Sequence, residues 1–114
     1  GATALVDFKR LPKALATRLV TEMPYTSQRS FGSVALDLCW IAAGRCDVYL
    51  HGRSNIWDYA AGMLVLEESG GSACTLDGER VFSRELRPRS IVAAAESTLY
   101  GEWCDWLGIR LSTR

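Results

Sequence analysis

The chain has 114 residues, 48% of them apolar and 23% charged, with 13 basic side chains balancing 13 acidic ones. That length supports one domain with a hydrophobic core, not two, and the even charge leaves no basic surplus for nucleic acid or an anionic membrane surface. The longest uncharged stretches, such as residues 59–66, fall far short of the roughly 20 apolar residues that span a bilayer. No basic segment followed by an apolar one opens the sequence, so a soluble, cytoplasmic protein is expected.

In chain order, residues 2–8 read as a short strand, and Lys9-Arg10-Leu11-Pro12 turns the chain. Pro12 suits the first turn of a helix that continues to Val20 on Leu15, Leu19 and Val20, and Pro24 stops it. Residues 25–30 form a more polar strand candidate. Residues 33–43 then predict a helix, with Ser33 as its N-cap and Gly44 just past its end. Its near-continuous apolar content predicts burial on several sides.

Residues 47–50 predict a short strand, and His51-Gly52-Arg53-Ser54-Asn55 a polar loop. A second helix follows from Ile56 or Trp57 to Ser69, closed by Gly70-Gly71, with Glu67 and Glu68 exposed or salt-bridged near its end. Residues 72–76 predict a strand, Asp77-Gly78 a turn, and residues 80–82 a further short strand. The run Ile91-Val92-Ala93-Ala94-Ala95, inside a strand over 89–95, predicts burial on both faces. Ser97 caps a last helix to Leu107, with Leu99, Trp103, Trp106 and Leu107 on one stripe, and Gly108 ends it. Strands alternating with helices in this way imply a single α/β unit, a central sheet with helices on its faces.

The four cysteines, Cys39, Cys46, Cys74 and Cys104, are spread out without a C-x-x-C pair, and the single histidine, His51, adjoins none of them. Reduced thiols are therefore expected, with Cys39 and Cys74 in buried elements, rather than a disulfide or zinc framework.

Three segments hold candidate chemistry. Arg29-Ser30-Phe31-Gly32-Ser33 opens a helix, where free N–H groups and the helix dipole can hold a phosphate or a sugar hydroxyl, or simply end a capped helix. Asp58, in the first turn of the second long helix, either complements the helix dipole or offers a hard oxygen ligand to magnesium. The small run Ala60-Ala61-Gly62 implies close packing beneath it. His51 beside Arg53 can meet a phosphate or lie in a solvated loop. A serine elbow, a Walker loop and a dinucleotide fingerprint are all absent from the sequence.

Together these segments are more specific than any one alone. Gly32-Ser33-Val34-Ala35-Leu36-Asp37-Leu38-Cys39-Trp40-Ile41-Ala42-Ala43-Gly44-Arg45-Cys46-Asp47 resembles the inositol monophosphatase family's G-[ST]-x-A-x-[DN]-[LM]-x-x-[VI]-A-x-G-x-x-D segment. Trp57-Asp58-Tyr59-Ala60-Ala61-Gly62, through Glu67-Glu68-Ser69-Gly70-Gly71, resembles its W-D-x-A-[AG]-[GA]-x-x-[IL]-[VL]-x-E-[AS]-G-G signature, in the same order. The likeness covers residues 25–107. It implies the layered fold shared with fructose-bisphosphatase, with residues 1–114 as its C-terminal α/β half. It also implies a magnesium-dependent phosphatase, with Asp58 as a metal ligand and Gly32, Ser33 and Val34 contacting substrate hydroxyls.

Two departures qualify that implication. Inositol-specific members carry a glutamate seven residues before the metal aspartate, where this chain has His51, which leaves room for another sugar phosphate or a phosphoadenosine phosphate. The family's other metal ligands, a glutamate and a D-P-[IL]-D-G-T segment, have no counterpart in these residues. Two-metal hydrolysis needs more than one carboxylate. The expectation is a fragment, inactive alone, that carries no catalytic base and depends on a missing N-terminal half. The alternative is a non-catalytic module kept for assembly or regulation. Trp40, Trp57, Trp103 and Trp106 would offer it contact surface, including for a second copy of the chain.

Overall fold

A computed structural model describes residues 3–8, 10–29, 34–54, 56–81 and 89–110, apart from the side chains at 35, 36, 53, 54, 56–58 and 61. Its elements are β1 (Thr3–Asp7), α1 (Lys13–Glu22), β2 (Ser27–Arg29), α2 (Val34–Ala42), β3 (Val48–Ser54), α3 (Ile56–Glu68), β4 (Ser72–Cys74), β5 (Arg89–Ala94) and α4 (Ser97–Leu107). The strands form one sheet in the order β2-β1-β3-β5-β4. β1 pairs parallel with β2 and β3, while β5 runs antiparallel to both β3 and β4. The expected α/β sheet with flanking helices is present, and it is mixed rather than parallel throughout.

Continuous apolar runs make the central strands, because both of their faces are covered. Leu5, Tyr49, Ile91 and Ala93 point to one side, where they pack with Val34, Leu38 and Ile41 of α2 and Tyr59, Met63 and Leu66 of α3. Ala4, Val6, Val48, Leu50, Val92 and Ala94 point to the other, against Leu19 of α1 and Trp103 and Cys104 of α4. The period-two alternation thus sorts each strand between two cores. On the second face Trp103 donates its indole N–H to the Tyr49 carbonyl at 2.9 Å, which satisfies the one polar atom of a buried ring.

Gly62 explains how α2 and α3 approach so closely. A Cβ there would fall 2.7 Å from Leu38 Cδ1 and 2.9 Å from Leu38 Cβ, as the small run in the sequence implied. α1 starts one residue after Pro12 and runs two residues beyond Val20 before Met23, in a left-handed conformation (φ 46°), and Pro24 end it. Gly44 and Gly108 follow α2 and α4 with φ of 74° and 75°, conformations that cost a residue without Cβ little.

Four expectations need correction. Residues 51–54 are not a polar loop but the second half of β3, because His51 pairs with Asp7 of β1 and with Ile91 of β5, with a register shift between His51 and Ser54. Cys39 is exposed, because it follows Leu38 onto the side of α2 that the sheet and α3 do not cover. The cap of α4 is Glu96, whose carboxylate accepts from the Leu99 N–H at 2.6 Å, and Ser97 is already helical. Arg80 and Val81 form no strand. Val81 instead drops into the core beside α2 and α3, and the Arg80 carbonyl accepts from the Arg89 side chain; Phe82 lies outside the described residues.

Candidate functional site at the ends of the parallel strands

β1, β2 and β3 run parallel, so their C-terminal ends share one edge of the sheet. Each is followed by a helix that turns back along the sheet, and α1, α2 and α3 therefore begin at that edge. In open α/β sheets this is where ligands bind. The N–H groups and positive dipole ends of α2 and α3 gather there on one face.

Asp7 closes β1 and His51 is its register partner on β3. Asp7 lies two residues after Leu5, and His51 two after Tyr49, so both side chains belong to the α2/α3 face. His51 Nε2 stands 3.5 Å from Asp7 Oδ2, and the residues are only 9% and 7% exposed. A carboxylate facing Nε2 favours a proton on that nitrogen and fixes the rotation of the ring. The Tyr49 ring, 6.4 Å away and tilted by 37°, adds a neighbour. Beside them Gly52 lies so close to the Arg10 carbonyl and the Leu11 amide that no side chain fits there. The turn after β1 is thereby pressed against β3.

The remaining expected site residues distribute unevenly. Val34 is the first residue of α2, and its side chain is buried in the core, so any substrate contact from it is through its backbone. Gly32 and Ser33 lie outside the described residues. Asp58 occupies the first turn of α3, the helix that begins at the site edge, and its side chain is likewise outside the description. Glu67 and Glu68 are exposed at the far end of that helix, as expected. The residue that sequence reasoning passed over is Asp7. Its signal was an acid closing the otherwise apolar run Ala4-Leu5-Val6.

A magnesium ion takes carboxylate, water and phosphate oxygens, and an aspartate in the first turn of α3 fits one such position. Among the described residues no cluster of three or more His, Cys, Asp or Glu could enclose a metal. No helix among those residues is long and apolar enough to cross a membrane.

The fold is thus a mixed α/β sheet, with a polar pair and converging helix starts at the edge where such sheets commonly take small molecules. Comparison with known proteins narrows the class. Residues 5–106 match the family model described as the inositol monophosphatase family, and the chain belongs to that family. An inositol-1-monophosphatase of Bacillus subtilis is 42% identical over 79 residues, which are 69% of this chain and 29% of the relative. A protein of Pasteurella multocida named Nus factor SuhB is 45% identical over 67 residues, 59% of this chain and 24% of that protein. Among solved structures, inositol monophosphatase II of Staphylococcus aureus superposes with a TM-score of 0.79 at 27% identity, covering 91% of this chain and 39% of that one. The chain thus spans well under half the length of these relatives.

Proposed function

We propose that this chain is the C-terminal α/β portion of a magnesium-dependent phosphate-monoester hydrolase acting on inositol phosphate or a related sugar or nucleotide phosphate. The observation that carries the reading is the buried Asp7–His51 pair, set at the edge where α2 and α3 begin. Family membership, with relatives named inositol-1-monophosphatases, supports the reaction class. In this reading Asp58 ligates metal, and the backbone at Gly32, Ser33 and Val34 orients substrate hydroxyls. His51, held by Asp7, meets the substrate where inositol-specific enzymes place a glutamate. When bound, magnesium activates the attacking water and stabilises the leaving oxygen. The rest of its coordination belongs to an N-terminal half, so residues 1–114 alone release no phosphate.

The test is phosphate release from a panel of sugar and nucleotide phosphates by the full-length protein, with and without Asp58→Asn. Loss of turnover in the variant supports the metal role; unchanged turnover rejects it. A second reading, an assembly or regulatory module, draws support from the relatives named Nus factor SuhB. A full-length protein that folds, binds magnesium and hydrolyses no member of the panel would favour it.

A further inference from the structure

On the opposite face of the sheet, Cys74 ends β4 and Cys104 sits on the inner side of α4, with their sulfurs 4.0 Å apart. Both residues are buried, at 3% and 2% exposure. Joining them needs an Sγ–Sγ distance of about 2 Å, so each sulfur has only about 1 Å to travel, within the reach of small side-chain rotations. They belong to different elements, separated by 30 residues in sequence. Cys74 is level with Leu50 in the strand register, one position short of His51, but it lies two strands away from β3 and faces the other core, and nothing in the proposed hydrolysis uses the pair.

We propose that Cys74 and Cys104 form an oxidative modification site, a thiol pair that a hydroperoxide converts to a disulfide pinning α4 to β4. One sulfur, as thiolate, attacks a peroxide oxygen; the O–O bond breaks, and the leaving oxygen takes the released proton as water or alcohol. The sulfenic acid formed is then attacked by the second thiol. The S–S bond forms, the S–O bond breaks, and a second water leaves with the remaining proton. Two thiols are oxidised by two electrons, and the peroxide is reduced by two.

The surroundings favour the first step. The hydrogen bond from Cys104, against the opposing effect of burial and with help from the Tyr100 hydroxyl, lowers the Cys74 thiol to about 7. The same shared proton, together with burial, pushes Cys104 up. The pair therefore releases its first proton readily and holds the second. Such a thiolate is the nucleophile that peroxide chemistry requires. Burial means the oxidant arrives during local openings of α4.

Trypsin separates the four cysteines into the peptides 30–45, 46–53, 54–80 and 90–110, which makes the test direct. The full-length protein is treated with a small excess of hydrogen peroxide, denatured, alkylated and digested. The expected product is a cross-link of 54–80 to 90–110, two hydrogens lighter than the separate peptides and reversed by a dithiol. Exposed Cys39 reports that the oxidant was active. Cys46, whose thiol is pushed up by burial and then by the Asp47 carboxylate, is the unreactive control. In Cys104→Ala the cross-link disappears, and Cys74, without the hydrogen bond that activates it, is oxidised more slowly than in the parent. Full alkylation of Cys74 and Cys104 after Cys39 has reacted would overturn the proposal, as would equal cross-linking of all four cysteines.

Discussion

The two faces of the sheet are built by the same alternation of apolar residues and end up with different tasks. On the α2/α3 face the alternation breaks at the strand ends, where Asp7 and His51 replace the expected apolar residues and pair with each other. On the α1/α4 face apolar residues and thiols continue to the end. There Trp103 stacks on Trp106 at 6.1 Å and meets the Tyr25 ring edge-on at 6.4 Å. Arg18 covers the outer side, with its guanidinium carbon 3.9 Å from the Trp106 ring and its Nη1 donating to the Trp106 carbonyl at 2.6 Å. A buried polar pair is a costly way to stabilise a strand end, since apolar residues of similar volume need no desolvated partner. Among the described residues the pair lies on the face where α2 and α3 begin, the face to which the proposed function assigns the substrate.

The sharpest way to break this comparison is through activity. Asp58→Asn in the full-length enzyme should lower phosphate release by about 100-fold or more, because a metal ligand is lost from the transition state, while its melting temperature stays near the parent's. A thermal collapse with intact specific activity of the folded fraction would show Asp58 to be structural instead. The largest stability effect should come from the other face. Trp103→Ala removes a buried ring and its hydrogen bond to the Tyr49 carbonyl, and should cost about 3–5 kcal/mol in urea unfolding. KM for the substrate should hardly change in the molecules that remain folded.

A third experiment tests the polar pair itself. His51→Glu restores the glutamate of inositol-specific relatives but sets it against Asp7, and like charges at this distance disfavour the folded state. A loss of about 1–3 kcal/mol is expected, recovered largely by adding Asp7→Asn, as a double-mutant cycle would measure. The double variant should also shift its kcat/KM ratio toward inositol phosphate. Simple additivity of the two changes would mean that the side chains do not interact. The smallest effect expected is that of Glu96→Ala, which removes the α4 cap and should cost about 1 kcal/mol, readable as a lower urea midpoint without any change in activity.

Most of the architecture was legible in the sequence. Residues 2–8 and 47–50 read as short strands and Ile91-Val92-Ala93-Ala94 as a doubly covered one, and Pro24, Gly44, Gly70 and Gly108 mark where helices stop. The family motifs located Gly32, Ser33, Val34, His51 and Asp58 as candidates by their order along the chain. Local chemistry misled in a few places, each for a tertiary reason. His51-Gly52-Arg53-Ser54 has the composition of a loop, yet β1 and β5 supply partners on both sides and draw it into the sheet. Cys39 sits in an apolar helix, but which side of that helix stays open depends on where α3 lies.

Local propensity, turn residues and apolar period were therefore enough to place the four helices and the cores of five strands, because those are properties of neighbouring residues, but not to reject a strand at 80–82 or to extend β3 through Ser54. The sequence alone did not reveal that an acid ending the first strand would meet a histidine 44 positions later, or that two distant thiols would face each other across β4 and α4. Those pairings depend on strand order and helix placement. Only the folded sheet brings such residues within bonding distance.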